Sequence, residues 1–220
     1  MSEWWTYTLS DIQSFSVHSY YRLFELYNRA IWPAQILALA LGIAILVLLR
    51  RAEPWRGRAI TVLLAACWLW VAVVFLAHRY ATLTWSARYF AWGFGVEAAL
   101  LLWTALRGRL IFERRLAGLA IFLAALVVAP LSGPLVGRTW RQVEVFGVAP
   151  DPTAVATLGI LLLAAGRVRW ELVAVPLLWC AVSGATLLSM HAPDAGIPIA
   201  AVVLGLSVAV SRALARRRRT

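Results

Sequence analysis

Seven stretches of this chain, near residues 31–49, 59–77, 87–106, 116–136, 152–166, 170–190 and 196–214, are apolar almost without interruption. A hydrocarbon core about 30 Å thick asks for about 20 apolar residues per crossing helix, and every stretch approaches that length. Composition points the same way, with 62 % apolar and 14 % charged residues, against roughly 45–50 % and 25 % in soluble domains. The sequence therefore predicts an all-α, polytopic membrane protein. Its seven transmembrane helices occupy 29–214, after an outer-surface amphipathic segment at 1–28 and before a basic tail at 215–220.

The net charge of +11 rests on arginine alone, since the chain contains no lysine. Fifteen arginines fall after the first, third, fifth and last stretches: 50, 51, 56, 58, 107, 109, 114, 115, 167, 169, 212 and 216–219. Only Arg22, Arg29, Arg79, Arg88, Arg138 and Arg141 fall on the other side. The positive-inside rule then places the N-terminus outside and "RALARRRRT" in the cytoplasm of a bacterial inner membrane. The arginine run is expected to touch anionic lipid and no nucleic acid. Without lysine no retinal Schiff base can form.

Residues 1–28 have no basic start leading into a short apolar core, so no cleaved signal peptide is expected. Ser10 and Gln13 have capping-box spacing, and Tyr20, Leu23, Phe24 and Tyr27 recur at helical spacing. With Trp4, Trp5 and Tyr21 they suggest a helix anchored at headgroup level.

Each of the two cysteines is followed eleven residues later by a histidine: Cys67 and His78, Cys180 and His191. In a helix that spacing spans about 16 Å with about 20° of drift, so each pair shares a face. "WPAQILALALGIAILVLLRR" and "DPTAVATLGILLLAAGRVR" also begin alike, with proline in the first turn and two arginines at the close. A 3+1+3 plan with two parallel triplets follows. Two readings of the four residues stay open. Thiols and imidazoles along one path suit Cu(I), Zn or Hg(II), and the two histidines suit haem. Equally, buried cysteines act as small hydrophobes and histidines at helix ends are interfacial. No pair sits at i, i+3 or i+4, so the identity of any cofactor or metal stays unknown.

Glu97 is the one acid in mid-span, where a carboxylate is expensive and suggests function, here proton coupling. Tyr89 and Gly93 lie above it on the same face. The fifth stretch is short, and Asp151 before Pro152 is expected to cap its N-terminus, behind irregular backbone lining a cavity. Short or proline-interrupted segments at matching places mark binding sites in transporters. That assigns substrate binding to Trp32 and Gln35 in one half and to Asp151 and Thr153 in the other, with Glu97 and Tyr89.

"LFELYNRAIWPAQ", "FGVAPDPTAVATLG" and "PLLWCAVSGATL" resemble an uncharacterised family of bacterial integral membrane proteins of this length. The resemblance implies a membrane location and supplies no activity. The 3+1+3 plan is separately similar to that of the SWEET sugar transporters in topology and size alone. The expected function is a transporter or channel-like protein for a small solute or ion, with a site opening to the outer face. The alternatives are an accessory subunit binding a partner membrane protein, or a haem- or metal-binding membrane protein, and homo-oligomers fit either. No serine-histidine or paired-aspartate constellation suggests an enzyme.

Overall fold

A computed structural model describes residues 16–51, 53–107, 110–113 and 115–217. Trp4, Trp5 and the Ser10–Gln13 capping box lie outside them. The described chain is helical: α1 Val17–Ala30, α2 Ala34–Arg50, α3 Arg56–Trp70, α4 Ala87–Arg107, α5 Leu116–Leu123, α6 Ala129–Leu135, α7 Pro150–Leu163, α8 Trp170–Ser189 and α9 Gly196–Arg217. A π-helical segment, Val71–Ala77, continues α3, and another, Ala124–Val128, joins α5 to α6. Extended structure among the described residues is a single antiparallel bridge between Phe112 and Ala164.

Five helical runs among these residues are long and apolar enough to cross a membrane: Arg56–Thr82, Ala87–Arg107, Leu116–Leu135, Trp170–Ser189 and Gly196–Ala215. Counting α1 and α2, bent by 89° at their junction, as one broken run makes six. The seventh predicted stretch is α7, whose 14 residues reach only about 21 Å. Each of its positions is buried. It packs on α5, α8, α9 and α3, so protein rather than lipid surrounds it.

Close approach of α5 and α7 depends on glycine. A Cβ on Gly159 would sit 2.6 Å from the Phe122 backbone nitrogen and 2.8 Å from the Gly118 carbonyl oxygen. Small residues permit such backbone contact between apolar helices. Polar side chains on α7 are satisfied at short range. Thr153 and Thr157 donate to the carbonyls of Ala149 and Thr153, four residues back, and Trp68 donates to Thr157 at 2.8 Å.

The repeat expectation makes α2 the counterpart of α7, and the two are packed differently. α2 buries only Ala38, Gly42 and Ile45, a single stripe, and leaves Ile36, Leu37 and Ile43 exposed. The Cys-to-His segments diverge too. Between Cys67 and His78 the chain switches to π-helix, whereas α8 stays α-helical and ends in a Schellman motif with His191 at φ 54°. There Ala192 N–H donates to Leu187 and His191 N–H to Leu188. Equal spacing in sequence has not produced equal geometry.

The amphipathic face of α1 was expected against lipid headgroups. Tyr20, Leu23, Phe24 and Tyr27 are indeed its buried residues, but they rest on the bundle. Phe24 stacks on Phe75 at 4.9 Å, Tyr27 meets Phe75 edge-on, and Tyr20 meets Tyr80. Ser16 caps the helix through the Ser19 N–H. Tyr27 then donates to the Val148 carbonyl at 2.8 Å, and Asn28 donates to those of Arg141 and Val143. Thus α1 roofs one end of the bundle and holds the 136–149 loop.

The opposite end gathers the arginine-bearing connections. Arg56 donates to the carbonyls of Arg51 and Phe112, and Glu113 N–H donates to Leu163. Arg212 donates to Leu162 and Ala164, supplying the carbonyls that α7 leaves unpaired at its C-terminus.

Candidate functional site

At the end roofed by α1, α6 closes in a Schellman turn that needs Gly137 at φ 85°. Arg138 N–H reaches back to the Gly133 carbonyl at 2.9 Å, which turns the Arg138 side chain over the bundle. Its guanidinium is buried between α1 and the start of α9. One nitrogen donates to Asp194 Oδ2 at 2.7 Å and to Glu144 Oε1 at 3.3 Å, and the other donates to the Gln142 carbonyl. The guanidinium also lies 4.5 Å from the centre of the Tyr21 ring and 5.5 Å from that of Phe24. Tyr21 completes the cluster by donating to Asp194 Oδ1 at 2.9 Å.

A third carboxylate stands beside them. Asp151 is buried and accepts from Trp179 Nε1 at 2.8 Å and from Ser183 Oγ at 2.6 Å, both on α8. It was expected to cap the fifth helix. Instead α7 begins two residues earlier, at Pro150, with Ala149 at the N-cap and no side chain capping it. Prolines at 150 and 152 remove two of the orphan N–H groups a cap would serve. The carboxylate is thereby left for α8.

Arg138, Glu144, Asp151 and Asp194 share the end of a cavity of about 380 Å³. Its walls are apolar and small: Ala120, Ala124 and Ala129 on the Leu116–Leu135 run face Ile197, Ala201 and Leu204 on α9. The polar residues at its end carry three carboxylates against one guanidinium. Burial drives Arg138 toward its neutral form, but Glu144 and Asp194 outweigh that and raise its pKa, so it stays a cation. Glu144 responds the other way. Burial, then the nearby Asp151, push its carboxyl up to about 8 against the pull of Arg138. Asp194 takes the shorter contact with the guanidinium, 2.7 Å against 3.3 Å for Glu144. Two buried atoms here have no hydrogen-bond partner, Glu144 Oε2 and Arg138 Nε.

The residues proposed from sequence are brought together only in part. Asp151 lies in the cavity. Thr153, one turn into α7, is fully buried and positions the loop by accepting from Gly147 N–H at 2.9 Å. Trp32 and Gln35 line a separate surface depression with Trp140 and Arg141. Gln35 there donates to the Asn28 carbonyl at 2.8 Å, a brace across the α1–α2 corner. Tyr89 is 66 % exposed and packs edge-on against Trp85. Glu97 is fully buried, both its oxygens lack partners, and it lines neither the cavity nor the depression.

Both cysteines are buried and free, Cys67 on α3 and Cys180 on α8. His78 and His191 are exposed at helix ends. Among the described residues, no group of three or more His, Cys, Asp or Glu side chains is gathered closely enough to hold a metal ion.

Sequence reasoning counted Arg138 as a loop charge and passed over Glu144 and Asp194 as site residues. The available signal was "QVEVFGV", an acid inside an otherwise apolar loop, which is expensive unless the side chain is paired.

Fold and site together define an all-helical protein whose long apolar helices are compatible with a membrane, with a buried acidic cluster at one end of the bundle. A model for a family of unknown function, DUF6064, matches residues 17–220, and the chain belongs to that family. No curated protein and no solved structure matches it.

Proposed function

We propose that this chain crosses a bacterial inner membrane seven times, with α2 and α7 among the crossings, and carries a small solute or ion through the cavity between the Leu116–Leu135 run and α9. The N-terminus lies outside, the C-terminus in the cytoplasm, and the acidic end opens outward. One observation carries the reading: an apolar cavity ends on three carboxylates and a single guanidinium. Arg138 is committed to Asp194, and the cavity end holds three carboxyl groups against that one guanidinium. A cation, or a small apolar solute bearing a positive group, fits that balance. The α7 N-terminus and its preceding irregular loop bound the site, as broken helices do where backbone lines a cavity.

Liposome reconstitution tests it, with Thr139→Cys as a reporter of sidedness. Thr139 is exposed on the acidic end, and Cys67 and Cys180 are buried, so an impermeant maleimide should label the introduced thiol from outside intact cells. In proteoliposomes a panel of alkali cations, small organic amines and neutral sugars should include a cationic member taken up faster than into empty vesicles. Ala124→Leu, which fills the cavity wall, should stop that uptake. If no panel member enters faster than into empty vesicles, transport is overturned and the accessory-subunit reading takes its place.

A further inference from the structure

A second cavity, of about 780 Å³, opens at the arginine-rich end on the opposite side of the same helical run. Leu46 and Leu49 of α2 form one wall, and Leu116, Leu119 and Leu123 of α5 form the other. Between residues 116 and 123 the leucine wall is about 10 Å deep. At its mouth stand Arg50, Arg51, Arg56 and Arg115, with Glu113 the only acid among the described residues that line it.

Two of these arginines are already engaged. Arg56 donates to the carbonyls of Leu49, Arg51 and Phe112, and Arg115 pairs with Glu113. The Arg50 and Arg51 side chains are exposed at the lip, so the mouth keeps an excess of positive charge. A leucine-lined slot with guanidinium groups at its rim has the two-part chemistry of an anionic phospholipid, acyl chain inside and phosphate at the rim. Two bidentate guanidinium forks suit phosphate oxygens better than any neutral headgroup.

We propose that this groove binds one anionic phospholipid, its phosphate on Arg50 and Arg51 and an acyl chain between α2 and α5. The lipid fills the space between α2, which buries only Ala38, Gly42 and Ile45, and the rest of the bundle, and so braces it. The proposal rests on the membrane reading and is independent of transport, because its test reads binding alone.

The experiment is native mass spectrometry of the protein purified in a neutral detergent, offered phosphatidylglycerol or phosphatidylcholine of identical chains, with glycerol phosphate as a third arm. One phosphatidylglycerol should be retained per chain, at least tenfold more than phosphatidylcholine, and should raise the melting temperature. Arg50→Gln with Arg51→Gln should remove that preference. Leu123→Trp, which obstructs the slot and leaves every arginine in place, should reduce retention of either lipid. Equal retention of the two lipids, or unchanged retention in Leu123→Trp, overturns the proposal. So does an equal melting shift from glycerol phosphate alone, which would make the site one for a free phosphate.

Discussion

The two cavities lie on opposite sides of the Leu116–Leu135 run, and they use arginine in opposite ways. At the α1 end one guanidinium is buried among three carboxylates, with aromatic rings beneath it. In the other cavity Arg50, Arg51, Arg56 and Arg115 surround one exposed glutamate, and Arg56 and Arg212 of that end bond backbone carbonyls. A buried charge must be matched in place because its desolvation is not recovered otherwise. An exposed one stays solvated and is free to meet a ligand. Charge count therefore says little about these sites, and burial says which arginine holds structure and which waits at a surface.

The largest difference between the ends should appear when each loses a guanidinium. Arg138→Met leaves Asp194 and Glu144 buried without a cation and should cost about 3–5 kcal/mol, whereas Arg50→Met should stay within about 0.5 kcal/mol. Denaturation midpoints in detergent measure both. Equal losses would erase the distinction drawn between the two ends.

Next in size is the wall the cavities share. Gly159→Ala puts a methyl 2.6 Å from the Phe122 nitrogen, where backbone has to move, and overpacking of this kind costs about 1–3 kcal/mol. Thermal unfolding should show the loss, and ligand binding at both ends should weaken together. Weakening at one end only would mean that the α5–α7 contact does not act as a common wall.

The remaining effect is a slope spread over pH. Glu144 titrates near 8 in the folded protein and near about 4.3 when unfolded, so between those values the folded state binds the extra proton. Stability should then be highest below about pH 4.3, fall as pH rises toward about 8, and level off above it. Glu144→Gln should flatten that slope, and Glu113→Gln, at the other end and half-exposed, should leave it unchanged. A wild-type slope persisting in Glu144→Gln would move the proton to another group.

Much of the helical layout was legible in advance because apolar run length and arginine spacing are local signals. All seven apolar stretches prove helical, and the fifteen arginines counted for one side belong to the connections that meet at one end, apart from those outside the described residues. The α1 face was legible as well, though not its partner. Periodicity shows that Tyr20, Leu23, Phe24 and Tyr27 share a side, but a lipid headgroup and a protein surface ask for the same pattern. Of the residues proposed from sequence, Asp151 lies at the cavity, while Trp32 and Gln35 line a separate depression and Tyr89 is exposed. Trp32 and Gln35 were chosen by analogy between two proline-led helices, and Tyr89 by sharing a face with Glu97; neither argument fixes how deeply a helix is buried.

α2 and α7 mark where sequence stops and tertiary structure begins. Residue by residue both are apolar, proline-led and closed by arginines, and that determined that both are helices. Only the packed bundle decided that α7 lies at its centre and α2 at its edge. Glycine contacts at 118 and 159 let α5 approach α7, and α8 offered Trp179 and Ser183 to Asp151. Local propensity depends on neighbours a few residues away. The partners of Asp151 are 28 and 32 residues distant and Asp194 is 56 from Arg138, so these contacts exist only once the helices have found one another.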